Sequence, residues 1–175
     1  MPSIRAFFRK IAAPLLRKKI NPFFRFAAQK DSQQFATLHA QGDFSHAWSA
    51  AEFEAFLADR SVIADVLCDP ARPERIYGFV LSRRAADEAE ILTIVLARSV
   101  RGRGWSGGLL DHHIARLAHT GIAILFLEVE DGNHPAQALY ESRGFAVIGK
   151  RPGYYRRRDG SEALALVMRR SLDRI

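Results

Sequence analysis

The sequence predicts an α/β fold, a mixed central sheet with about four helices packed beside it. Three observations carry that expectation. Apolar, β-branched runs of strand length recur along most of the chain. Segments with apolar residues at helical spacing fall between them. At 175 residues, with 48% hydrophobic and 26% charged side chains, the chain has the length and composition of one globular domain with a sizeable core.

In chain order, residues 24–27 read as a short first strand. Asp31 or Ser32 can cap a first helix that runs to about residue 41. Ser49 and Glu52 form a capping box for a second helix, with Phe53, Phe56 and Leu57 on its apolar face. Residues 61–68 and 75–82 are strands of a hairpin, joined through the proline-containing turn 69–74. Residues 83–88 make a polar turn into the apolar central strand, 90–97. Leu109, Leu110, Ile114, Leu117 and Ala118 share a helix face, and Gly121 ends that helix. Residues 122–129 form the next strand, in which Glu128 is the single charge. Asn133-His-Pro135 opens a fourth helix, which carries Leu139 and Tyr140 and ends before Gly144. The last two strands are 146–150 and 162–169, separated by a polar, tyrosine-containing loop over 151–160.

The chemistry concentrates between the central strand and the fourth helix. Arg101-Gly-Arg-Gly-Trp-Ser-Gly-Gly108 places four glycines in eight residues just before a helix. Such a turn offers backbone N–H groups to an anion, and glycine lets a ligand approach the backbone closely. Alone, the pattern fits a flexible connection equally well. It does not end in Gly-Lys-Ser/Thr, so it is not a nucleoside-triphosphate loop. Glu128 is either salt-bridged for structural reasons or functional, because burying an unpaired carboxylate is costly. Tyr140 alone reads as a core aromatic, and Asn133 as a local helix cap.

Taken together, Arg101-Gly-Arg-Gly104, Leu109-Leu110, Leu127-Glu-Val129, Asn133, Ala138-Leu-Tyr140, Gly144-Phe145 and Tyr154-Tyr155 resemble the GNAT acyltransferases. More narrowly they are similar to the bacterial RimI type, which acetylates the N-terminal alanine of a small-subunit ribosomal protein. The resemblance is dense from residue 77 to 168, looser from 26 to 66 and absent before that. It implies a GNAT fold whose two middle strands splay apart, with the pantetheine arm of acetyl-CoA in the gap. It implies Glu128 as the base that takes the amine proton and contacts the acceptor, and Tyr140 as the acid that protonates the coenzyme A thiolate. It implies cofactor contacts from Ile94, Val95 and Leu96 through their backbone. Arg101, Gly102, Arg103, Gly104, Trp105, Ser106 and Gly107 would hold the pyrophosphate, with either arginine alternatively solvated. Asn133 and Tyr140 would complete the cofactor contacts. Tyr154 and Tyr155 would lie over the acceptor, with the 44–48 connection as the opposite wall. The sequence departs from the family at Ser106, where the loop usually has glycine or alanine, and at Arg98, where proline is common.

The implied reaction is direct acetyl transfer to a protein N-terminus, a ribosomal protein being the specific acceptor. A lysine side chain or a small amine is the alternative acceptor. A non-catalytic acyl-CoA-binding protein tethered by a basic arm is the alternative outside the enzyme class. That arm is residues 1–22, ahead of a domain over 23–175. Residues 1–30 hold eight of the 26 Lys and Arg and none of the 19 acids. Their Phe, Ile and Leu residues alternate with these charges near helical spacing, so the segment can contact RNA or an anionic membrane. It also resembles a transit peptide, and a passive extension or a segment docked on the domain explains it as well. Pro14 and Pro22 argue against one long helix. Cys68 is the single cysteine and reads as a small buried strand residue. That count and the lack of a membrane-length apolar run fit a reducing cytoplasm. No metal site is expected from the six histidines. His112 and His113, adjacent on a helix, are expected to point to different sides. The serines are read as lying outside a Gly-x-Ser-x-Gly context, and a serine hydrolase is not expected.

Overall fold

A computed structural model describes residues 22–42, 46–156 and 162–172 of the protein; for residues 153–156 and 162–163 it describes the backbone alone. The strands are β1 Phe23–Phe26, β2 Val62–Asp69, β3 Arg72–Ala85, β4 Glu88–Leu96, β5 Ile124–Glu130, β6 Ala146–Arg156 and β7 Glu162–Ser171. The helices are α1 Ser32–His39, α2 Ala50–Ala58, α3 Trp105–His119 and α4 His134–Glu141. The strands form one seven-stranded sheet in the order β1-β2-β3-β4-β5-β7-β6. All neighbours are antiparallel except β4 and β5. A parallel pair needs a crossover, and α3 supplies it.

That parallel pair organises the molecule. It is hydrogen-bonded only from Glu88 opposite Ile124 to Ile91 opposite Leu127. Beyond it, β4 continues along β3 as far as Leu96 opposite Gly78, while β5 follows β7 to Glu130 opposite Ala165. The two middle strands therefore splay. A register shift between Leu81 and Ser82, where β3 faces β4, bends β4 at this point.

Each face of the sheet buries its own core. Against α3 and α4 lie Leu67, Val80, Ile91, Leu125, Leu127 and Met168, packed with Leu110, Leu117 and Tyr140. Against α1 and α2 lies an aromatic cluster: Phe35 stacks on Phe79 at 3.9 Å between ring centres, and Phe53 meets both edge-on. The alternation along β5, with Leu125, Leu127 and Val129 buried, turns Phe126, Glu128 and Glu130 to the opposite face.

The expected capping box forms: Ser49 Oγ accepts from the Glu52 N–H, and Glu52 Oε2 accepts from the Ser49 N–H. Cys68 is fully buried on β2, as expected. Three expectations need correction. Asp31 does not cap α1 through its side chain; its carboxylate takes both arms of Arg25 and the Ala28 N–H instead. Residues 83–85 and 88–89 belong to β3 and β4, so the turn shrinks to Ala86 and Asp87. β6 runs on through Arg156, which puts Tyr154 and Tyr155 on a strand and not in a loop. Trp48 stacks on His39 at 4.9 Å and packs against Phe53 and Phe56, so it joins the aromatic cluster. Phe44 and residues 1–21 lie outside the described residues.

Candidate active site

The splay between β4 and β5 opens a cleft of about 570 Å³. One wall is Ile91 to Leu96 of β4, the other Glu128 to Glu130 of β5, and Asn133 and Tyr140 come from the start and body of α4. Since β4 and β5 no longer pair here, the β4 edge facing the gap presents backbone donors and acceptors with no strand opposite, an arrangement that binds an extended ligand. The glycine-rich turn closes one end. Gly102 and Gly104 have φ of +72° and +75°, and a Cβ at either position would meet no atom within 4 Å, so glycine is required there by the turn and not by crowding. Gly104 is the residue before α3, and no side chain caps the helix. The first-turn N–H groups of a 15-residue helix are thus presented beside Ser106, a ready anion site.

Of the residues singled out in sequence, Ile94, Val95, Leu96, Arg101, Gly102, Gly104, Trp105, Ser106, Glu128, Asn133 and Tyr140 line this cleft. Arg101 folds back so that its Nε donates to the Leu96 carbonyl at 3.1 Å. Arg103 lies over the Trp105 ring, 5.4 Å from its centre, and is outside the cleft lining. Gly107 is also outside it: it is buried against Arg143, which pairs with Asp111 at 2.9 Å and ties α3 to the end of α4. Asn133 accepts from the Ala136 N–H and so caps α4. Tyr140 is 6% exposed, with its ring edge-on to Phe145. The side chains of Tyr154 and Tyr155 lie outside the described residues.

Glu128 is where two clefts meet. A second cleft of about 350 Å³ opens on the other side, lined by Arg83 and Glu90 among others, and Glu128 borders both. Its side chain is only 12% exposed. Oε1 accepts from Arg151 Nη1 of β6 at 2.5 Å. Oε2 is buried and, among the described residues, accepts no hydrogen bond. A buried carboxylate oxygen left in that state costs about 1–3 kcal/mol, and in a native protein such an atom is explained by a catalytic role, a bound ion or an ordered water. Glu90, at the mouth of the second cleft, has its pKa raised by local burial of its carboxyl and then by the charge of Glu128.

A second polar cluster lies behind α3, and no sequence motif points to it. His113 Nδ1 is 2.6 Å from Asp65 Oδ2, and its Nε2 is 2.8 Å from Ser82 Oγ. Arg116 donates to Asp65 Oδ1 at 2.8 Å and to the Ala64 carbonyl at 3.0 Å. His112 also approaches Asp65, at 3.7 Å, so the two histidines converge on one carboxylate and do not diverge. Asp65, Ser82 and His113 are completely buried, which bars this Ser-His-Asp arrangement from any substrate. Gly104-Trp-Ser-Gly-Gly108 does fit Gly-x-Ser-x-Gly, contrary to the expectation above, but Ser106 sits at the start of α3 while the Ser-His-Asp contacts are made by Ser82. Among the described residues there is no cluster of His, Cys, Asp and Glu that could hold a metal ion.

Burial lowers the pKa of His113, and it lowers that of His39 to about 4. Both histidines are therefore neutral in the folded protein at neutral pH. For Asp65, burial acts upwards, but the hydrogen bonds from His113 and Arg116 outweigh it and leave the pKa below its ordinary value. The unfolded chain binds protons on these histidines near pH 6.5 and the folded chain does not, so stability falls as pH drops below about 6.5. The Asp65 contribution is present above about pH 3.9 and is lost below it. Urea unfolding at pH 7.5 and 5.5 is expected to give a lower midpoint at pH 5.5; equal midpoints would contradict the neutral, buried assignment.

The model of the acetyltransferase (GNAT) family matches residues 29–145, and the chain belongs to that family. It is 35% identical over 95 residues to the ribosomal protein bS18-alanine N-acetyltransferase of Haemophilus ducreyi, covering 54% of this chain and 66% of that one. To the protein of the same name from Escherichia coli K12 it is 36% identical over 88 residues, covering 50% and 60%. The matched chain thus spans just under two-thirds of these relatives' length. The crystal structure of the ribosomal-protein-S18-alanine N-acetyltransferase from Escherichia coli superposes with a TM-score of 0.79 at 25% identity, covering 87% of this chain and 95% of that one. The splayed seven-stranded sheet is the GNAT fold expected from the sequence.

Proposed function

We propose that the chain transfers an acetyl group from acetyl-CoA to a free protein or peptide N-terminus, the acceptor being the N-terminal alanine of a small-subunit ribosomal protein. The observation that carries this reading is Glu128: a buried carboxylate oxygen without a protein partner among the described residues, at the junction of two clefts. The larger cleft fits the co-substrate's chemistry, with an anion-binding helix start at one end and an open strand edge along its length. The second cleft gives the acceptor a separate approach to the same carboxylate.

Acetyl-CoA supplies an acyl thioester. Glu128 Oε2 accepts the amine proton as the new C–N bond forms, directly or through one water. The phenol of Tyr140 then protonates the sulfur as the C–S bond breaks. Cys68 is buried on β2, away from the cleft, so no thiol carries the acyl group and the transfer is direct. An N-terminal amine, with a pKa of about 8, gives up its proton to a carboxylate more readily than a lysine, at about 10.4. The names of the relatives support the alanine acceptor.

Two further parts belong to the same proposal. The first 22 residues are a basic extension ahead of the domain that contacts RNA or an anionic membrane, supported by their charge excess alone. The setting is a reducing cytoplasm, supported by the single cysteine; no helix among the described residues is long and apolar enough to cross a membrane. Binding of a peptide of residues 1–30 to RNA or anionic vesicles is expected at low salt and lost at high salt. No binding at low salt would retire the contact.

The reaction is tested with acetyl-CoA and a panel of acceptors: peptides starting with Ala, Ser, Met or Gly, an N-terminally blocked lysine peptide, and polyamines. Turnover is expected on free N-termini, strongest for alanine. Turnover confined to lysine or polyamines would replace the acceptor class. Acetyl-CoA binding with no turnover on any acceptor would mean a binding protein.

A further inference from the structure

The ion pair at the back of Glu128 comes from β6, an edge strand two places across the sheet from β5. Glu128 faces Val167 on β7, and β6 lies beyond, with Arg151 opposite Ala165. The long side chain of Arg151 thus reaches across β7 to meet Glu128 Oε1 at 2.5 Å. It is more than half exposed, at 58%, so the pair adds little to stability. Its geometric effect is larger. With Oε1 held, rotation of the Glu128 carboxylate is blocked, and Oε2 is the oxygen left in the buried position without a protein hydrogen bond. Glu90, a like charge that feels both Glu128 and Arg151, pushes on Glu128 and cannot hold it.

We propose that Arg151 is a positioning residue for acetyl transfer: its guanidinium fixes Glu128 through Oε1 and so orients Oε2 to receive the amine proton. This rests on the proposed reaction. It adds β6 to the elements that build the site, and it makes the strand carrying Tyr154 and Tyr155 also the strand that aims the base. A guanidinium suits the task because it remains charged at all working pH values and its donors have fixed geometry.

The test compares wild type with Arg151→Met and Arg151→Lys in the same acceptor assay. In Arg151→Met, kcat is expected to fall about tenfold to a hundredfold, the loss that follows from a misplaced catalytic group. The KM for acetyl-CoA is expected to stay within about twofold, since Arg151 does not line the cofactor cleft. Arg151→Lys should recover part of kcat, and added guanidinium ion should raise kcat of Arg151→Met but not of wild type. An active wild type with an equally active Arg151→Met overturns the inference and leaves the proposed reaction standing. So does an equal loss in kcat and acetyl-CoA affinity without rescue, because that marks general damage to the fold.

Discussion

Replacing Glu128 with Gln is expected to lower acetyl transfer by about 10²–10⁴-fold, the usual contribution of a positioned general base. The replacement keeps the shape of the side chain and an oxygen that can face Arg151, so the sheet should be undisturbed. It removes the proton-accepting charge from an atom that is buried and unpartnered among the described residues. Acetyl-CoA affinity should change little, because the cofactor cleft is built chiefly from backbone edges and the start of α3. Single-turnover rates and acetyl-CoA titrations separate the two effects. Unchanged turnover would remove Glu128 from the mechanism, whereas a large loss of acetyl-CoA affinity would make it a structural carboxylate.

Asp65→Ala is expected to destabilise the fold by about 3–5 kcal/mol, the range for breaking a buried ionic cluster from one side. It would strand the His113 N–H and the Arg116 guanidinium, both of which Asp65 now satisfies. For a chain of this size the loss corresponds to a fall in Tm of roughly 6–20 °C. Replacing the cluster together, with Asp65→Leu, His113→Leu and Arg116→Met, should recover much of it, because no buried charge is then left alone. Thermal unfolding checks both. A loss below about 1 kcal/mol for Asp65→Ala would contradict the burial and pairing described.

These two carboxylates also show how far the sequence alone is legible. Each stands as an acid in an apolar strand, Glu128 in β5 and Asp65 in β2. At Glu128 the surrounding motif supplies a role; at Asp65 the same signal stands without one. Its partners, Ser82, His113 and Arg116, come from β3 and α3, and no local pattern announces which distant residues a buried acid will meet. The elements themselves were legible wherever periodicity and caps agreed, as in α2 with its Ser49–Glu52 box and α3, which stops just before Gly121. β6 was legible only over 146–150, because the polar, tyrosine-containing stretch that follows reads as a loop. Proline is tolerated on an edge strand, and β6 is one, with its register broken between Arg151 and Tyr155. Gly107 illustrates the converse. Its place in a glycine-rich run points to a phosphate contact, and the structure adds a packing reason for glycine there, the space taken by Arg143.

The most direct test of the central claim is a crystal structure with a bisubstrate analogue, coenzyme A joined through an acetyl linker to the amine of an alanine-initiated peptide. The linker is expected in the splay between β4 and β5, with its sulfur beside Tyr140 and the peptide nitrogen within hydrogen-bond reach of Glu128 Oε2, directly or through one water. The peptide should leave through the second cleft, past Glu90. An analogue bound with its linker outside the splay, or with Glu128 turned away from the peptide nitrogen, would contradict the account.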